Sequence, residues 1–88
     1  MKTLVIIDDE VFFRKSLINF LEKQYIYKIV GEANNGQAGI KLIENIKPDI
    51  ALVDISMPIM SGLDMIETFG ADCHTKFILS TGYEDFEY

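Results

Sequence analysis

Apolar positions along the chain fall into two alternating rhythms. Thr3 to Ile7 (TLVII) is a continuous, β-branched run bounded by acids, which suits a central strand covered on both faces. Phe13, Leu17, Phe20 and Leu21 then recur at i, i+4, i+7 and i+8, the stripe of an amphipathic helix, with Arg14, Lys15, Asn19, Glu22 and Lys23 off it. Tyr27 to Ala33 (YKIVGEA) reads as a second strand. Asn34-Asn35-Gly36 is a turn signal leading into a helical stripe of Gly39, Leu42, Ile43 and Ile46, which Pro48 ends. Ile50 to Val53 (IALV) is a third buried strand, Ser61 is placed to cap a short helix carrying Leu63, Ile66 and Phe69, and Lys76 to Leu79 (KFIL) is a fourth strand. The order βαβαβαβ predicts a parallel sheet with right-handed crossovers and helices on both faces, a three-layer α/β/α sandwich.

Parallel strands present their carboxyl ends on one edge, and open sheets of this kind bind ligands in the crevice outside those ends. Asp8 and Asp9 follow the first strand, Asp54 the third, and Ser80 and Thr81 the fourth, so three carboxylates and at least one hydroxyl should meet on one rim. Like charges so close raise one another's pKa values unless a cation sits among them. Oxygen donors with room for water favour Mg²⁺ or Mn²⁺ over zinc, for which the chain offers only the adjacent Cys73 and His74. The chemistry this suggests is phosphoryl transfer, because a metal can bridge a carboxylate and a phosphoryl oxygen.

Each piece alone has an ordinary reading. Asp8-Asp9-Glu10 could be a helix cap with first-turn acids, and Asp54 a strand-end acid; their joint placement is what points to a site. Cys73 and His74 precede the fourth strand at the opposite rim and read as structural or solvated. Met57, Met60 and Met65 read as packing. No G-x-G-x-x-G follows the first strand, so a dinucleotide site has no support.

Composition narrows the class. The chain has 88 residues, 49% hydrophobic and 25% charged, which fits one globular domain over residues 1–88, near the size at which a single core becomes marginal. A net charge of -6, from 14 acidic against 8 basic residues with no basic cluster, argues against direct nucleic-acid binding. The single cysteine, Cys73, excludes an internal disulfide framework, and MKTLVIIDDE turns acidic too soon for a signal peptide. The apolar runs are strand-length, so no membrane span is expected and a cytoplasmic location is.

The motifs LVIIDDE, PDIALVDISMPIMSG and FILSTGY, and above all D-x-x-M-P-x-M-x-G from Asp54 to Gly62, resemble the receiver domains of two-component response regulators. The resemblance implies a flavodoxin-like fold with strand order 2-1-3-4-5. It implies that Asp54 is the phosphoacceptor, labelled by a sensor histidine kinase, and that Asp9 and Asp54 hold Mg²⁺ with the main-chain carbonyl of Ser56, Asp8 acting directly or through water. Thr81 corresponds to the family's switch hydroxyl, and Gly82 to the small residue beside it. On this basis the domain is not a turnover enzyme, although it can lose its own phosphate.

The family has five β/α units, whereas the alternation here stops after the fourth strand. Strand five, helix five and the lysine that ends strand five are therefore expected to be missing, and Lys76 stands at the wrong end of the sheet to replace that lysine. The TGYEDFEY ending is similar to regulators carrying an AraC-type DNA-binding domain, which implies a transcriptional regulator as parent. Two other readings remain open. One is a degenerate or shortened receiver acting only as an association module. The other is an aspartate-nucleophile phosphatase of the haloacid dehalogenase type, against which Ser56 stands where a second acid is wanted. A fourth strand left as an edge is a template for association, so we expect self-association through it and the C-terminal segment. Light scattering across a concentration series should show a dimer or larger species; a stable monomer at high concentration contradicts it.

Overall fold

A computed structural model describes residues 1–80. Along them run β1 (Lys2–Ile7), α1 (Val11–Glu22), β2 (Tyr27–Ala33), α2 (Gly36–Ile46), β3 (Ile50–Asp54), α3 (Gly62–Glu67) and β4 (Lys76–Ser80). All strand pairings are parallel and the order is β2-β1-β3-β4, the flavodoxin-like order as far as the described residues reach.

The central place of β1 explains its unbroken apolar run: Leu4, Val5, Ile6 and Ile7 are all buried. Val5 and Ile7 join Ala33, Ala51, Val53 and Met57 in one core, closed by Ile43 of α2 and Met65 of α3. Side chains alternate along a strand, so Leu4 and Ile6 point to the other face. The strand order reverses at β1, and right-handed crossovers therefore put α1 on that other face, opposite α2 and α3.

Local chemistry sets the helix ends. The Asn35 side chain accepts a hydrogen bond from the Ala38 amide at 2.8 Å to open α2, and Lys47, in the left-handed region at φ 52°, closes it before Pro48. Ser61 caps α3 as the sequence pattern predicts, its Oγ accepting from the Asp64 amide at 3.1 Å. Met57 and Met65 are buried and Met60 packs against the core, which agrees with a packing role for all three.

The face that α1 turns to the sheet differs from the predicted stripe. Arg14 is buried and Leu17, Ile18 and Leu21 are partly covered, whereas Phe13 and Phe20 remain 45% and 60% exposed. The covered line is rotated about one residue from the apolar one. Arg14 can lie inward because its guanidinium finds hydrogen-bond partners there, which removes the cost of burying it.

The amino-terminal rim of the sheet is tied by polar bonds. Asp49 Oδ2 accepts from the Thr3 amide at 2.8 Å and from its hydroxyl at 3.1 Å, and the Lys76 amide donates to the Asp49 carbonyl at 2.9 Å. His74 Nε2 lies 3.1 Å from Asp49 Oδ1, so His74 and the neighbouring Cys73 belong to this rim, as expected, and Lys76 opens β4 there. On β4, the edge strand among the described residues, Ile78 and Leu79 are 50% and 40% exposed.

The Met65 side chain is fully enclosed between α3 and the sheet. Met65→Ala should lower stability by about 2–5 kcal/mol, read as a fall in the urea unfolding midpoint with an unchanged slope.

Candidate functional site

Strand register builds the site. Ile7 of β1 pairs with Val53 of β3, so the residues that follow them, Asp8 and Asp54, stand side by side at the carboxyl ends of the two central strands. Asp54 is in turn paired with Ser80 of β4. One carboxylate oxygen from each of Asp8, Asp9 and Asp54 lies within 4.8 Å of the others. Asp8 is buried, Asp54 half-buried and Asp9 exposed, so the cluster opens to solvent on one side.

The β1–α1 corner is not a helix cap. Glu10 occupies the cap position of α1 and makes no side-chain cap bond. Asp8 Oδ1 instead accepts from the Glu10 amide at 2.8 Å, while the Asp8 amide donates to the Ala33 carbonyl at 3.0 Å.

The β3–α3 loop is held by its own backbone. The Ser56 amide donates to Asp54 Oδ1 at 3.0 Å, the Ile55 amide to the Ser80 carbonyl at 2.9 Å, and the Gly62 amide to the Ile55 carbonyl at 3.0 Å. Gly62 lies so close to the Asp54 carbonyl that a Cβ there would collide with main chain, which explains the residue type. Within the loop, the Met60 amide donates to the Pro58 carbonyl at 2.8 Å across Ile59, whose φ is 72°. That is the rare, strained form of γ-turn, here carried by a β-branched residue with a fully exposed side chain.

Electrostatics follow from this packing. Burial pushes the Asp54 carboxyl up to about 6, the nearby Asp8 and Asp9 charges add to the rise, and the Ser56 amide opposes it. Burial also raises Asp8, aided by the charge of Asp9 and opposed by the Glu10 amide and Arg14. The donors are hard oxygens, and two of the acids are hard to ionise without a cation, so the residues present fit Mg²⁺ or Mn²⁺. A cavity of about 420 Å³ lined by Ile66, Phe69, Cys73, Thr75, Lys76 and Phe77 contains none of these acids.

The structure thus brings together Asp8, Asp9 and Asp54, with Ser56 on the loop beside them. Thr81, the expected switch hydroxyl, and Gly82 lie outside the described residues. Sequence reasoning missed Arg14 and Glu32. Buried Arg14 donates to the Asp8 carbonyl at 2.7 Å and to Glu32 Oε1 of β2, directly behind the cluster. The available signal was spacing, since Arg14 stands three and seven residues before Leu17 and Leu21.

The pattern of the response regulator receiver domain matches residues 4–88. The chain belongs to the response regulator receiver family. It is 36% identical over 85 residues to the transcriptional regulatory protein YdfI of Bacillus subtilis, covering 97% of this chain and 40% of that protein. It is 33% identical over 86 residues to the transcriptional regulatory protein BtsR of Escherichia coli, covering 98% of this chain and 36% of that protein. The signal receiver domain of Mycobacterium tuberculosis NarL superposes with a TM-score of 0.81 at 30% identity, covering 91% of this chain and 65% of that one. The receiver therefore spans about two fifths of the length of these curated relatives. Receiver domains are signalling modules of two-component systems and as a class are not turnover enzymes.

The raised Asp54 carboxyl has a measurable consequence. Its folded pKa of about 6 exceeds the ordinary 3.8, so the folded receiver keeps a proton that the unfolded chain releases between these values. Stability from that proton is full below about pH 4 and is lost as pH rises through 6. In chelator at pH 7.5, Asp54→Asn should therefore stabilise the receiver by about 1 kcal/mol after solvent screening, or a few degrees in thermal midpoint. At pH 4.5 the gain should largely vanish.

Proposed function

We propose that Asp54 accepts a phosphoryl group from the phosphohistidine of a sensor histidine kinase, with Mg²⁺ or Mn²⁺ held by Asp8, Asp9, Asp54 and the main-chain carbonyl of Ser56. The observation that carries this reading is the meeting of three carboxylate oxygens within 4.8 Å at the ends of β1 and β3. A carboxylate oxygen of Asp54 attacks phosphorus, the bond from phosphorus to the donor imidazole breaks, and the imidazole keeps the electron pair. When bound, the cation supplies the positive charge that offsets the carboxylates and the phosphoryl oxygens.

The chain's own residues do the rest. The Ser56 amide on Oδ1 restrains the Asp54 rotamer, so the nucleophile is already oriented. Asp8, fixed by the Glu10 amide, contributes charge directly or through water. The Gly62 approach and the Ile59 turn keep the loop close to the strand end, and the open side next to Asp9 leaves room for the donor. The Thr81 hydroxyl then bonds the new phosphoryl group and carries the change to an output surface.

The parent protein, on this reading, is a transcriptional regulator, in line with the names of YdfI and BtsR. Those names leave the AraC-type output open. No described helix is long and apolar enough to cross a membrane. The proposed donor places the receiver in the cytoplasm, with DNA contacted by another part of the protein.

With acetyl phosphate and Mg²⁺, intact-mass spectrometry should show one phosphoryl group per chain. Asp54→Asn or chelator should abolish it. Labelling that persists in Asp54→Asn overturns the assignment, and steady turnover of phosphate esters would favour a phosphatase.

A further inference from the structure

Arg14 is the buried cation nearest the acidic corner, and nothing in the phosphoacceptor chemistry uses it. It stands in the first turn of α1, with its side chain only 10% exposed. Its Nη1 donates to the Asp8 carbonyl at 2.7 Å and its Nε to Glu32 Oε1 at 2.5 Å. The other Glu32 oxygen accepts from Lys15 Nζ at 2.8 Å on the solvent side. One guanidinium thus ties the β1–α1 corner, α1 and β2 together.

From these contacts we infer that Arg14 is a positioning residue: it holds the peptide plane between Asp8 and Asp9, so that the Asp9 carboxylate faces the other two. The inference rests on the cation site proposed above. The carbonyl that Arg14 grips belongs to the planar unit joining Asp8 to Asp9, so holding it fixes the backbone on which Asp9 stands. Asp8 is secured in three places, by its amide on Ala33, its carboxylate on Glu10 and its carbonyl on Arg14. The exposed Asp9 carboxylate meets the Asp54 carboxylate, a neighbour of like charge that bonds it only when one of the two carries a proton, so when both are ionised the corner sets its position. A forked, planar guanidinium serves a carboxylate and a carbonyl from separate nitrogens held at fixed angles, which a lysine ammonium, with its donors on one atom, does not reproduce.

A purely electrostatic role makes the opposite prediction. A bare guanidinium behind a cation site repels the cation, so its removal would tighten binding. Glu32, shared with Lys15, offsets part of that charge at contact distance, and the grip of Nη1 on the Asp8 carbonyl is the geometric contribution.

The test is Mn²⁺ binding to the whole chain, with free Mn²⁺ counted by electron paramagnetic resonance and folding checked by circular dichroism. The double variant Arg14→Met/Glu32→Met leaves net charge unchanged and replaces a part-buried pair with apolar side chains of similar size, a kind of change that often preserves stability. It should bind Mn²⁺ about 10-fold or more weakly, the usual cost of losing a group that orients a metal ligand. The Asp9 amide should also become more mobile by nuclear magnetic resonance relaxation in the metal-free state. Equal or tighter Mn²⁺ binding by the folded double variant overturns the inference. If that variant does not fold, Arg14→Lys carries the test: the charge stays, the fork is lost and binding should weaken, whereas unchanged affinity overturns the role. Absence of Mn²⁺ binding by the wild-type chain overturns the cation site itself, and this inference with it.

Discussion

Parallel pairing of β1 with β3 is the constraint on which the rest depends. The register that sets Ile7 beside Val53 buries both in one core and, one step further, leaves Asp8 and Asp54 side by side where the strands end. A one-residue slip would turn every core side chain on β3 to the wrong face, so the same apolar contacts that hold the sheet also hold the acids together. Core and site are one arrangement seen at successive residues.

That arrangement puts repulsion and strain at the carboxyl rim. Asp54 and Asp8 are raised by burial and by neighbouring carboxylates, Ile59 sits in a conformation that β-branched residues avoid, and Gly62 allows main chain to approach main chain. In so small a domain these costs are offset by the enclosed core around Val5, Ile7, Ile43 and Met65 and by the polar ties of Thr3 and Asp49 at the amino-terminal rim. The rim gathers three carboxylate oxygens, a donor set whose mutual repulsion a divalent cation would relieve.

Helix α1 shows how buried polarity can redirect an apolar pattern. Its aromatic side chains could have faced the sheet, yet Phe13 and Phe20 are left exposed while Arg14 lies beneath. The hydrogen bonds of Arg14 to Asp8 and Glu32 join the inner side of the helix to the acidic corner. Exposed aromatics on α1 and exposed Ile78 and Leu79 on β4 mark the sides of the described fold with least cover.

Most of the fold and the acidic cluster could be read in the residues. Continuous apolar runs marked buried strands, Ser61 and Pro48 marked helix limits, and acids after the first and third strands must share a rim because parallel strands end on one edge. These are local or topological consequences, and a single sequence carries them. The helix face of α1, the burial of Arg14, the left-handed Ile59 and the close approach at Gly62 depend on which atoms meet across elements far apart in the chain. Spacing shows that Arg14 shares a side with Leu17 and Leu21, but only the packed structure supplies the Asp8 carbonyl and the Glu32 carboxylate that make burying its charge tolerable. By itself the sequence determined which acids meet; the tertiary structure decided what stands behind them, because a buried charge is stable only where its partners are already in place.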